Sequence, residues 1–241
     1  TPRLPGHGFA VSERRHVQGD DWEAALRIAV ATADAAREAG EPLILGGYST
    51  GGILALKYAL ECQENARWPC PEKILLLSPA VAISSLVRLG WLHNLISWVP
   101  FFERFQWESI YPEVDPYKFT SFPKRPAWET ASLTWAVADQ LDHATLPPIL
   151  AFQSAVDGTV STRAVIDMFY DLAARGHELV IYDMNRNNAV SDWLEDELPN
   201  LKDVEKDAPL DFNISVISNR STLEQQVVEH RMAAGESAFE V

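Results

Sequence analysis

Pro42-Leu43-Ile44-Leu45-Gly46-Gly47-Tyr48-Ser49-Thr50-Gly51-Gly52-Ile53-Leu54-Ala55-Leu56 is the stretch on which the reading of this 241-residue chain turns. Residues 42–45 read as a short buried strand and residues 50–63 as a helix. Between them Gly47-Tyr48-Ser49-Thr50-Gly51 makes a G-x-S-x-G. At ordinary Gly and Ser frequencies such a match arises by chance in roughly one chain in ten. Set between a buried strand and a helix it becomes specific. A residue on that hairpin sits in strained backbone, with crowding two positions to either side, so glycine is expected at Gly47 and Gly51. The helix start aims free N–H groups at a reacting oxygen, and the Thr50 backbone N–H is placed to donate to an oxyanion. Ser49 is therefore the candidate nucleophile and Thr50 the candidate oxyanion donor.

Working outward, Asp20 or Asp21 can cap a helix whose apolar positions Trp22, Leu26, Ala29 and Ala33 step by three and four, ending at Gly40. Lys73-Ile74-Leu75-Leu76-Leu77 reads as a second buried strand, with further strands at 148–152, 178–182 and, more loosely, 212–217. A helix at 161–175 stops at Gly176. Continuous apolar strands alternating with helices imply an α/β fold: a mostly parallel sheet flanked by helices on both faces, with right-handed crossovers.

About seventy residues, 78–146, separate the second strand from the third, where a crossover needs only a dozen or so. They hold 12 of the 24 aromatic residues. The expectation is a core built from residues 1–80 and 147–241, with 81–146 a helical cap whose apolar inner face meets a greasy ligand. The plainer alternative is an insertion with its own small core.

A serine nucleophile needs a base, and the base needs an orienting carboxylate. In parallel sheets the site lies beyond the carboxyl ends of the strands. Asp157 qualifies, since it follows the strand Ile149-Leu150-Ala151-Phe152 and precedes the helix capped by Ser161. Its plainer reading is an Asp-Gly turn residue, and Asp183 is the runner-up acid. The histidine is harder to place. His177 precedes its strand, at the wrong edge of the sheet. His230 falls in an expected helix beyond the last strand and is a weak candidate. His7, His16, His93 and His143 come too early for the order serine, acid, histidine. The loop Asn185-Arg186-Asn187-Asn188 after the fourth strand has none, so the triad is incomplete.

Composition excludes other classes. Twenty Lys+Arg against 34 Asp+Glu give a formal charge of −14, which argues against nucleic acid or an anionic membrane as partner. The acidic stretch 192–211 reads as a solvated helix and loop. No charge-free apolar run reaches the roughly 18 residues of a membrane span. Cys62 and Cys70 lack metal-ligand spacing and stand as either a local bridge or two unrelated thiols. No cofactor or metal is expected, and a cytoplasmic location is the default, with a periplasmic or secreted one open.

These residues resemble the α/β-hydrolase superfamily, specifically its bacterial carboxylesterase and monoacylglycerol-lipase-like group. Leu4-Pro5-Gly6-His7-Gly8 is similar to a segment that precedes the elbow there, Gly47 to Gly51 to the nucleophile elbow, and Ser78-Pro79-Ala80 to the end of the next strand. The aromatic insertion sits where the cap does, and Ala155-Val156-Asp157-Gly158-Thr159-Val160 resembles the acid loop. The resemblance implies Ser49 as nucleophile and Asp157 as acid, while His7 belongs to a structural segment. It also implies earlier strands and a second oxyanion donor ahead of Leu4, and a histidine beyond the fourth strand. Their absence leads to the expectation that the chain is an internal part of a longer hydrolase.

The activity these readings imply is hydrolysis of small-molecule acyl esters through an acyl-enzyme. A serine aminopeptidase, anchoring a substrate amine at Glu103, Glu108, Glu113 or Asp115, is the alternative within the same chemistry. A hydrolase fold kept as a non-catalytic binding module is the alternative outside it.

Overall fold

The computed structural model describes residues 4–5, 18–82, 107–109, 122–141, 144–155, 157, 160–172, 176–183, 209–219 and 226–241, with 107–109 and 122–125 as backbone. The expectations for Gly6–Gly8, most of the aromatic stretch, Asn185–Asn188 and most of the acidic stretch fall outside these residues.

Six strands form the main sheet: β1 (Ile44–Tyr48), β2 (Lys73–Leu77), β5 (Ile149–Ser154), β6 (Glu178–Asp183), β7 (Asn213–Asn219) and β8 (Val227–Met232), side by side in that order. The first five are parallel and β8 is antiparallel to β7. A separate ribbon pairs β3 (Trp107–Ser109) with β4 (Phe122–Pro123). The helices are α1 (Gly19–Ala36), α2 (Thr50–Glu64), α3 (Lys124–Leu141) and α4 (Thr162–Asp171).

Strand order follows chain order, so right-handed crossovers deliver successive helices to the same face. There α1, α2 and α3 pack on one another, and α4 reaches the same face through Thr162, against Gln153 of β5. The core lies between: Leu45, Ile74, Leu76, Ile149, Ala151, Leu179 and Ile214 from the sheet meet Trp22, Ile53, Leu56, Val137, Val165 and Phe169 from the helices. Coverage of both faces was the expectation. Among the described residues the helices cover one face, and the alternate strand positions show Ile44, Tyr48, Leu77 and Tyr182 to solvent.

Other differences have local causes. The first strand runs past Leu45 to Tyr48, because Gly46, Gly47 and Tyr48 continue the ladder opposite Leu75, Leu76 and Leu77. Gln18, not an aspartate, is the N-cap of α1; Asp20 and Asp21 sit in its first turn, where their charge complements the helix dipole. The Gly19 N–H donates instead to Glu129 Oε2 of α3, 3.2 Å away. Residues 227–232 are a strand where a helix was expected, because pairing with β7 offers a complete ladder that the weak helical pattern does not. Cys62, in the last turn of α2, is bridged to Cys70, with Cα atoms 5.5 Å apart, which settles the open alternative in favour of the bond.

Candidate active site

Ser49 stands where β1 turns into α2, with φ 51° and ψ −116°. A side chain held at positive φ costs on the order of 1–3 kcal/mol and persists only when its surroundings enforce it. The enforcement is visible in the hydrogen bonds. The Ser49 N–H donates to Leu77 O at 3.0 Å, and the Ser49 carbonyl receives the N–H groups of Gly52, Ile53 and Ala80 at 2.9, 3.4 and 3.2 Å. Ser78, at the tip of β2, also has positive φ, 42°. Its N–H bonds Phe152 O at 2.9 Å, which joins the tip of β2 to β5.

The glycine expectation holds for one position and moves at the other. A Cβ on Gly47 would lie 2.1 Å from the carbonyl oxygen of Gly51, so no larger residue fits. A Cβ on Gly51 meets nothing within 4 Å among the described residues. The second tight position is Gly52, whose Cβ would lie 2.9 Å from the Pro79 side chain. Crowding comes from the segment after β2, a tertiary neighbour that spacing along the chain does not reveal.

Thr50 opens α2, so its N–H has no intrahelical acceptor and is free by position to face an oxyanion. Its side chain points elsewhere, with Oγ1 3.1 Å from Thr130 Oγ1 of α3. Thr130 and Thr134 carried no sequence signal, since threonines inside an amphipathic helix read as ordinary surface or core.

Asp157 lies in the turn after β5. Its N–H bonds Ser154 O at 3.3 Å, and its Oδ1 receives the Val160 N–H at 3.1 Å. Tyr48, Leu77 and Phe152 share one register level across β1, β2 and β5, so Ser49 and Asp157 rise from the same edge of the sheet, two strands apart. At about 4.8 Å per strand, the two strands that lead to them are about 10 Å apart. Asp183 is one strand further away on β6 and fully buried.

Neither described histidine stands beside Ser49. His177 is buried at the opposite end of β6, where Nδ1 accepts the Ile149 N–H at 3.1 Å and the ring meets Phe169 edge-on. Burial lowers its pKa and holds it neutral. His230 is on β8, five strands from β1, or about 24 Å. The helix expected around it is therefore corrected, and the distance removes it as a base for Ser49. His7, His16, His93 and His143 lie outside the described residues, as do Glu103, Glu113 and Asp115.

The order of the strands, the strained turn of Ser49 at the end of β1 and Asp157 in the turn after β5 fit one superfamily, and the model of the alpha/beta hydrolase family matches residues 1–212. The chain belongs to the alpha/beta hydrolase family. No curated protein matches the sequence. Among solved structures this hydrolase-family chain is similar to one from work on the metagenome-derived lipolytic enzymes LipS and LipT, with 19% identity, a TM-score of 0.58, and 81% of this chain and 78% of that one covered. A monoacylglycerol lipase from Paleococcus ferrophilus gives 15%, 0.53, and 80% and 81%. A soluble variant of monoglyceride lipase from Saccharomyces cerevisiae gives 13%, 0.50, and 82% and 77%. At such identities the likeness is one of fold. Among the described residues no helix is long and apolar enough to cross a membrane.

Proposed function

We propose that this chain is a serine hydrolase acting on carboxylic esters through an acyl-enzyme. The observation that carries the reading is Ser49, held at positive φ between β1 and the start of α2 over a Gly47 that admits no side chain. Ser49 Oγ attacks the ester carbonyl carbon as a histidine outside the described residues takes its proton. The Thr50 N–H donates to the oxyanion. The histidine returns the proton to the leaving alcohol, and water then releases the acid by the same route. Asp157 orients the histidine and stabilises its charged form. Lipolytic and monoacylglycerol lipase neighbours support acyl esters as substrates. The Cys62–Cys70 bond supports an oxidising compartment over a cytoplasmic one.

A fluorophosphonate probe tests the mechanism on the intact protein. Wild type is expected to take one label on Ser49 and Ser49→Ala none; a folded wild type that stays unlabelled overturns the reading. Hydrolysis of p-nitrophenyl acyl esters but not aminoacyl anilides is then the expected specificity.

A further inference from the structure

Three threonine hydroxyls connect the elbow to α3, a helix from the long crossover between β2 and β5. Thr130 is buried on α3, and its Oγ1 is 2.9 Å from the carbonyl of Pro126 one turn earlier and 3.1 Å from Thr50 Oγ1. A hydroxyl has one proton and two lone pairs. Because the Thr130 proton goes to Pro126 O, the Thr50 hydroxyl is the donor and Thr130 Oγ1 the acceptor. This bond turns the Thr50 side chain toward α3, while the Thr50 backbone N–H, at the first position of α2, has no intrahelical acceptor. One turn further along α3, Thr134 Oγ1 donates to Ala80 O at 2.7 Å, with Thr130 O 3.0 Å from the same hydroxyl. Ala80 in turn donates its N–H to Ser49 O. Both residues of the elbow are therefore tied to one helix, Thr50 directly and Ser49 through Ala80.

Resting on the serine-hydrolase reading above, we infer that Thr130 is a positioning residue, whose acceptor oxygen, with Thr134 through Ala80, sets the direction of the Thr50 oxyanion N–H. The helix that ends the aromatic crossover thereby contributes to stabilising the transition state without touching substrate. A misdirected donor retains part of its effect. The expected loss is therefore smaller than the roughly 10²–10³ seen when an oxyanion donor is removed.

The test compares Thr130→Val, which keeps shape and loses the acceptor, with Thr130→Ser, which keeps it. Thr130→Val is expected to slow fluorophosphonate labelling of Ser49 and lower kcat on a p-nitrophenyl ester about tenfold, with KM little changed. Thr130→Ser should recover most of both. Thr50→Val breaks the same bond from the other side, so Thr50→Val and the double variant should match Thr130→Val. If Thr130→Val does not fold, Thr50→Val against Thr50→Ser makes the same comparison. Labelling of Thr130→Val at the wild-type rate, equal impairment of the valine and serine variants, multiplying losses in the double variant, or a loss confined to KM would each overturn the inference. The serine-hydrolase reading fails differently, by an unlabelled Ser49 in wild type. Hydrogen exchange across residues 49–53 still reports the brace in that case: faster exchange in Thr130→Val than in Thr130→Ser upholds it, and equal exchange ends it.

Discussion

The elbow at the tip of β1 and the acid turn at the tip of β5 lie at the same edge of one sheet, yet they are built on different principles. At the elbow the backbone does the positioning. Ser49 is held at φ 51°, three N–H groups converge on its carbonyl, and a Cβ on Gly47 would lie 2.1 Å from the Gly51 carbonyl oxygen. Among the described residues of the Asp157 turn, side-chain hydrogen bonds join the backbone bond from the Asp157 N–H to Ser154 O. Asp157 Oδ1 receives the Val160 N–H, Thr162 Oγ1 donates to Ser154 O at 2.8 Å, and Ser161 caps α4 through the Ala164 N–H. A nucleophile must stand clear of its own helix while remaining at that helix's N-terminus, which only a strained turn allows. A carboxylate has only to receive a proton donor at a suitable distance, and many turns permit that.

The difference predicts opposite responses to substitution. Asp157→Asn should leave the fold intact and lower the labelling rate of Ser49 by about 10⁴, the effect of losing the histidine's orienting charge in a triad. Asp183→Asn should change that rate little, and a larger effect there than at Asp157 would reverse the assignment. Gly47→Ala should act on folding instead. Its methyl cannot be placed without moving backbone, and a loss above about 4 kcal/mol in chemical denaturation is expected, in the exceptional range for one substitution. A loss under about 1 kcal/mol would show that the elbow is softer than its contacts imply.

The smallest effect separates the two ends of α2. Reducing the Cys62–Cys70 bond, which closes a loop across a sequence separation of 8, should lower stability by about 2.5 kcal/mol from loop entropy. Because the elbow is braced by α3 at the other end of the helix, the reduced protein, while still folded, should label at the oxidised rate. A parallel drop in labelling would mean that the elbow depends on the whole helix.

Much of the elbow edge was legible in the residues. The strand–turn–helix sequence around Ser49 and the need for glycine at Gly47 are consequences of local backbone geometry, which three or four neighbouring residues express. Gly52 was not legible, because its constraint is Pro79, 27 positions away. Thr130 and Thr134 were hidden for the same reason, since their partners Thr50 and Ala80 come from other elements. The strand containing His230 is not legible in the sequence, whose local pattern there suggests a helix. Val227-Val228-Glu229-His230-Arg231-Met232 has no strong period of its own, and the free edge of β7 decided its state.

By itself the sequence determined the class of fold, the order of the parallel strands' apolar runs, the strand-to-helix turn that carries Ser49 and the place of Asp157 after the third parallel strand. Each of these is set by periodicity, by the φ that only some turns require, or by a residue's place at a strand end. The tertiary structure alone decided which face the helices cover, that His230 stands at the far edge of the sheet, that Cys62 meets Cys70, and that α3 holds the elbow. Those are distances between residues far apart in the chain, and only packing brings them together.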